Sequence, residues 1–252
     1  MRAVVTLVER ELVRFFRQRN RVIGAVGQPI ILWVLFGAAF ESSFSFPGGD
    51  ESYAQFFLPG VAVMISLFTA IFSTISIIED RREGFLQGVL VAPVSRGAMV
   101  LGKILGGTLL ATLQSGFFIL LAPLVDLPLS PASFLASFAI LFVISFALTG
   151  LGFCIAWRMD STQGFHAIMS VFLLPMWLLS GAFFPQAGQG LVLGTLLKIN
   201  PLTYGVAALR HALGMGGTGS ATAPLVVTIL FGIVTFCAAL AMAGRRTAGD
   251  FR

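Results

Sequence analysis

With 252 residues, 57% hydrophobic and 11% charged side chains, and a mean hydropathy of +0.94, the chain cannot hide its apolar surface inside a water-soluble fold. The apolar residues come in runs and not in period-2 alternation, so helices fit and an outer-membrane barrel does not. The net charge of +5 is carried by residues beside those runs, which points to anionic lipid and membrane topology and away from nucleic acid.

Residues 1–21 predict an interfacial helix. Arg10, Arg14, Arg17 and Arg21 recur at helical spacing, and Val5, Val8, Leu12 and Phe15 form the opposed stripe. This basic region is too long and too regular for a cleaved leader, although Gly37 and Ala39 follow the first apolar run. Six runs have the length of a membrane span: 22–40, 53–78, 98–122, 133–157, 164–184 and 223–243. The 41–52 connection holds Glu41, Asp50 and Glu51 and has no room for a folded external domain. The next connection, 79–97, is charged and amphipathic. Residues 185–222 are semi-apolar and interrupted by Asn200-Pro201, which predicts two short helices dipping into the outer leaflet in place of a seventh span. All but Lys198 and Arg210 of the 16 Lys and Arg residues fall on one side of this arrangement, so both termini are expected in the cytoplasm. Cys154 and Cys237 lie within apolar runs and read as small hydrophobes.

Catalytic chemistry finds little to work with. Gly97 to Lys103 has the letters of a phosphate-binding loop, but Ile104 stands where a magnesium-binding hydroxyl belongs, so Lys103 reads as an anchor at the foot of a span. His166 and His211 have no second ligand at metal spacing, and Asp126, Asp160 and Asp250 stand alone. Ser180-Gly181 with His166 is the only arrangement resembling an intramembrane nucleophile and base. The span centres lack Asp, Glu, Lys and Arg, so the energy source is expected in a separate subunit. Mild polar groups (Gln28, Ser66, Thr69, Ser73, Thr112, Gln114, Ser115, Ser145, Thr149) either line a path for an amphiphile or bridge helices. No catalytic, metal-binding or substrate-binding residue emerges.

Two motifs in order resemble the permease subunits of type-2 (ABC-2) ABC exporters. The first is Glu79-Asp80-Arg81-Arg82-Glu83-Gly84 followed by Leu90 and Pro93-Val94-Ser95-Arg96. The second is Leu179-Ser180-Gly181-Ala182-Phe183-Phe184-Pro185, then Asn200-Pro201-Leu202-Thr203-Tyr204 and Ala208-Leu209-Arg210. The resemblance covers essentially the whole chain. It implies an all-α, six-span inner-membrane domain with an elbow helix, and a coupling helix that docks on an ATPase. Glu79, Asp80, Arg81, Arg82, Glu83, Gly84, Phe85, Leu86, Leu90, Pro93 and Arg96 fall at that contact. There Arg81, Arg82 and Glu83 are expected to pair across the subunit boundary, and Phe85, Leu86 and Leu90 to supply an apolar face. Gly181, Phe184, Pro185, Asn200, Pro201, Tyr204 and Arg210 fall at a re-entrant outer gate. The implied assembly is two permease halves, most simply a homodimer, with two ATPase copies that hold ATP and magnesium. The implied activity is export of a drug, lipid or lipid-linked glycan from a bacterial cell. A membrane-embedded lipid-modifying enzyme and a non-transport scaffold stand as alternatives.

Overall fold

The computed structural model describes residues 2–17, 19–41, 52–85, 88, 94–183, 190–216 and 220–245. Among these the regular structure is helical throughout. In chain order the helices are α1 (Arg2–Arg17), α2 (Arg19–Phe40), α3 (Tyr53–Ser73), α4 (Ile75–Arg82), α5 (Arg96–Ile119), α6 (Pro131–Ala156), α7 (Thr162–Trp177), α8 (Leu191–Ile199), α9 (Pro201–Ala212) and α10 (Thr222–Arg245). A 3-10 turn, Ala122–Val125, extends α5, and a π turn, Leu178–Ala182, extends α7.

The sequence punctuates these helices with short polar caps. Ser52, Ser95, Ser130 and Ser161 each accept a backbone N–H from the first turn of the helix that follows, and Gln55 completes a capping box at Ser52. Each serine satisfies an orphan donor at a helix start. Only Thr74 separates α3 from α4, so the pair runs as one 30-residue apolar segment from Tyr53 to Arg82.

Five segments are long and apolar enough to cross a bilayer: Tyr53–Arg82, Arg96–Val125, Pro131–Ala156, Thr162–Ala182 and Thr222–Gly244. Helices α8 and α9 bend by 81° about Asn200-Pro201 and make a sixth only as one broken span. Helix α2 has 22 residues, of which Gly27–Phe40 is the apolar part. Helix α3 is the axis of the bundle, with Phe57, Leu58, Val61, Ala62, Val63, Leu67, Ala70 and Ile71 all at 0% exposure. Around it, α6 packs against α3, α5, α9 and α10, while α1 lies along α5. On α10, Val226, Leu230, Ile233 and Val234 face outward, which suits a helix bordered by lipid.

The mild polar residues divide between the two roles open to them. Ser66 donates to Ser115 (2.9 Å) and Thr69 to Gln114 (2.7 Å), tying α3 to α5. Thr112 and Thr149 donate back to the carbonyls of Thr108 and Ser145 within their own helices. Gln28, Thr69 and Ser73 line a cavity.

Candidate functional site

Helix α1 is amphipathic, but the structure turns it differently from the sequence expectation. Its buried stripe is Leu7, Glu11 and Phe15, and Val5 (63% exposed), Val13 and Phe16 face outward. Arg10 and Arg14 point into the protein. The reason is a set of acids waiting there. Gly102 and Gly106 on α5 let the two helices touch, because a Cβ at Gly106 would stand 2.8 Å from the Glu11 Cβ and one at Gly102 would stand 2.9 Å from the Leu7 Cβ. Gly106→Val is therefore expected to force α1 off α5 at a cost of about 1–3 kcal/mol, read as a lower Tm of the detergent-solubilised protein.

Three buried charges meet at this contact. The Asp80 side chain is 0% exposed, Lys103 4% and Glu11 6%. The Lys103 ammonium donates to Glu11, to Asp80 and to the Ser76 hydroxyl (3.3 Å), so its three N–H groups have three acceptors. Asp80 also accepts both arms of the Arg10 fork, at 2.6 and 2.9 Å, and Arg14 Nη1 at 3.1 Å. Arg14 Nη2 reaches Glu79 at 2.9 Å and Glu83 at 3.7 Å. The hydrogen bonds Arg10 donates to Asp80, and the charge of that carboxylate, raise its guanidinium above its ordinary pKa despite partial burial. Arg10 also lies 3.8 Å over the ring of Phe85. Lys103, expected as an anchor at the foot of a span, is the centre of a joint between α1, α4 and α5.

The two bases of the same run face the other way. Arg81 donates to the carbonyls of Trp157 (2.7 Å) and Met159 (3.3 Å) and to the Asp160 carboxylate (2.9 Å), and Arg82 Nε donates to the Asp160 carbonyl (2.9 Å). These carbonyls follow the end of α6, where a helix leaves acceptors unpaired. Glu79-Asp80-Arg81-Arg82 therefore acts as a hub, its acids gripping α1 and its bases gripping the 157–161 turn. Within the chain, Arg81 donates through both terminal nitrogens and Arg82 through Nε alone. Arg96 donates to the carbonyls of Ala243 and Gly244 near the end of α10. Glu83 (61% exposed) and Gly84 (φ +75°) lead out of the hub. Leu86, Leu90 and Pro93 lie outside the described residues.

At the opposite end, the α7 kink is repaired by α9. Leu179 and Gly181 leave helical geometry, Gly181 at φ +73°. The carbonyls so released are collected. Asn200 Nδ2 donates to Met176 (2.6 Å) and Leu179 (2.8 Å), and Arg210 Nη2 donates to Gly181 (3.0 Å). The Asn200 Oδ1 also caps α9 at Leu202 N (3.0 Å), with Pro201 in the first turn. The Arg210 guanidinium sits 4.1 Å from the Phe56 ring centroid. Phe183 packs edge-on against Phe36 and Phe57 at 5.1 and 5.4 Å, and the Tyr53 hydroxyl donates to its carbonyl (3.1 Å). Tyr204 donates to the Lys198 carbonyl at 2.9 Å. Phe184 and Pro185 lie outside the described residues.

Between the two ends, a cavity of about 430 Å³ is bounded by α1, α2, α3, α4 and α7. His166 lines it, its ring 5.0 Å from that of Phe72. Ser180 is buried in the π turn and donates to the Trp177 carbonyl. The two sit fourteen positions apart along α7 and its extension, about 21 Å at helical rise, so they do not form a nucleophile–base pair.

An all-helical protein with five to six apolar spans, jointed at one end and aromatic at the other, is a multi-pass membrane protein. The profile of the ABC-2 type transporter family matches residues 2–213, and the chain belongs to that family, one of transport permeases and not of enzymes. Among its relatives is a protein of Streptomyces coeruleorubidus named daunorubicin resistance ABC transporter permease protein DrrB1, 22% identical over 95% of this chain and 84% of the relative. Another, from Cyanophora paradoxa, carries the name "Putative transport permease ycf38" and is 29% identical over 81% of this chain and 71% of its own length.

Sequence reasoning missed Glu11, the acid that opposes Lys103. Its signal was an acid at the centre of the i, i+4, i+8 set Leu7, Glu11 and Phe15, where an apolar face has no other use for a charge.

Proposed function

We propose that this chain is one permease half of an ATP-driven exporter, moving an amphiphilic molecule out of a bacterial cytoplasm by alternating access. It pairs with a second half, most simply an identical copy, and with two copies of an ABC ATPase that carry ATP and magnesium. The observation that carries this reading is the hub: one four-residue run fastens α1, α4, α5 and the 157–161 turn together and continues directly into the Glu83–Phe85 segment. A push on that segment reaches four elements at once. The hub end carries the basic residues of α1, Arg81, Arg82, Arg96 and Arg158, which supports a cytoplasmic placement for it and for both termini. The α8–α9 pair then lies at the outer face as a re-entrant gate, with Gly181, Asn200, Pro201, Tyr204 and Arg210 holding its hinge.

The test is to tag the chain, extract it gently from its native membrane, and identify stoichiometric partners while assaying ATP hydrolysis. A co-purifying polypeptide with a phosphate-binding loop is expected, with substrate-stimulated hydrolysis reduced at least about tenfold by Glu83→Lys. A chain that purifies alone and transports without ATP contradicts the reading.

A further inference from the structure

A second, much smaller pocket opens into the charged hub. Glu11, Arg14, Ser73, Ser76 and Glu79 are its polar lining, and Phe15 and Leu110 are its apolar residues. Its volume is about 20 Å³, enough for one water, which takes about 10–15 Å³, and too small for an organic molecule. Phe15, Ser73 and Glu79 also line the larger cavity, so the pocket is a side branch of it and has a route by which solvent enters.

The polar atoms around this pocket have hydrogen-bonding capacity left over. Glu11 is only 6% exposed, yet Lys103 and Arg10 both donate to its Oε1, and Oε2 accepts from no described residue. A buried carboxylate oxygen without a donor is costly. Ser76 accepts from Lys103, and its own O–H has no acceptor among the described residues. Ser73 has given its proton to the Ala70 carbonyl, which leaves its lone pairs. Charge then selects the ligand. Two carboxylates repel an anion, while Arg14, with Lys103 one hydrogen bond away, opposes a metal cation. Water both donates and accepts, so it suits a lining of mixed sign.

We propose that this pocket binds one water, which donates to Glu11 Oε2 and Ser73 Oγ and accepts from the Ser76 hydroxyl. Among the described contacts Glu11 bonds no side chain of α3 or α4 directly, so the water is its link to them. A joint bridged in this way can shift by exchanging the bonds of a water, without stripping a buried charge of its partners. This role belongs to the hub and holds whether or not an ATPase drives the chain.

The test is X-ray radiolysis of the purified full chain in lipid discs, read by mass spectrometry. Radicals made from a bound water oxidise the side chains that touch it, even where bulk solvent does not reach. Leu110 is 3% exposed and lines the pocket, whereas Leu67 on α3 is 0% exposed and does not. Leu110 is expected to be oxidised at least about tenfold more than Leu67, because buried waters sit in polar pockets and not in apolar cores. Ser73→Ala combined with Ser76→Ala removes two of the water's partners and leaves Lys103 bonded to Glu11 and Asp80. Oxidation of Leu110 is expected to fall at least about fivefold in that variant, since a buried water needs two to four polar partners. Ser66→Ala, outside the pocket, is expected to leave it unchanged. Leu110 oxidised no more than Leu67 in the wild-type chain overturns the proposal by itself, whether or not the double variant folds. Oxidation unchanged in the double variant also overturns it, because bulk solvent in the larger cavity would then be the source.

Discussion

Lys103→Met is expected to be the most damaging single substitution in the chain. Methionine fills the same space but leaves the Glu11 and Asp80 carboxylates buried together with no ammonium between them. Removing one partner from a buried ionic cluster costs about 3–5 kcal/mol, a large share of the 5–15 kcal/mol that typically holds a domain together. Asp80 keeps Arg10 and Arg14, whereas Glu11 keeps only Arg10 at 3.4 Å, so Glu11 is the residue left uncompensated. Glu11→Gln added to Lys103→Met should therefore recover part of the loss, with a coupling of about 2 kcal/mol in a double-mutant cycle of thermal melts. Additive effects would show that the two side chains do not share one site.

The second large effect is expected at the opposite end. Asn200→Ala removes a helix cap, worth about 1 kcal/mol, and strips the donor from two carbonyls that have no water to turn to, at about 1–3 kcal/mol. The sum, about 3 kcal/mol, should appear as a lower Tm and as faster hydrogen exchange across the end of α7. Asn200→Asp separates the two parts, since its carboxylate still caps α9 but cannot donate to Met176 or Leu179. It is expected to fall between wild type and Asn200→Ala. If Asn200→Asp matches wild type, the repair of the kink by α9 contributes nothing.

How much of this is legible in the sequence follows from the range of each interaction. The all-helical class can be read from the length of the apolar runs, since each span must satisfy its backbone within itself. The helical character of residues 2–17 can be read from the spacing of Arg10, Arg14 and Arg17. Its orientation cannot. Arg10 meets Asp80 across 70 positions of sequence, so local pattern sends the basic face to lipid while tertiary pairing turns it inward. The same blindness makes Lys103 look like an anchor, because Glu11 and Asp80 lie 92 and 23 positions away. The bend between α8 and α9 is visible in Asn200-Pro201 because proline breaks a helix locally. That Asn200 also repairs α7 is not visible, because the carbonyls it collects belong to the non-helical turn at Leu179 and Gly181 in another helix. Charged residues in an apolar chain thus announce a joint without naming their partners.

The hub is expected to move as one body when the transporter changes state. The measurement is a pair of distances by spin labels in the transporter assembled with its ATPase, without nucleotide and with ATP under a hydrolysis block. One pair joins Val5 on α1 to Leu113 on α5 and the other joins Ile31 on α2 to Ile168 on α7, all four exposed. A hub that moves as one body keeps the α1–α5 distance fixed while the α2–α7 distance changes with nucleotide, and Lys103→Met is expected to broaden the first. An α1–α5 distance that shifts with nucleotide, or an α2–α7 distance that does not, would contradict it.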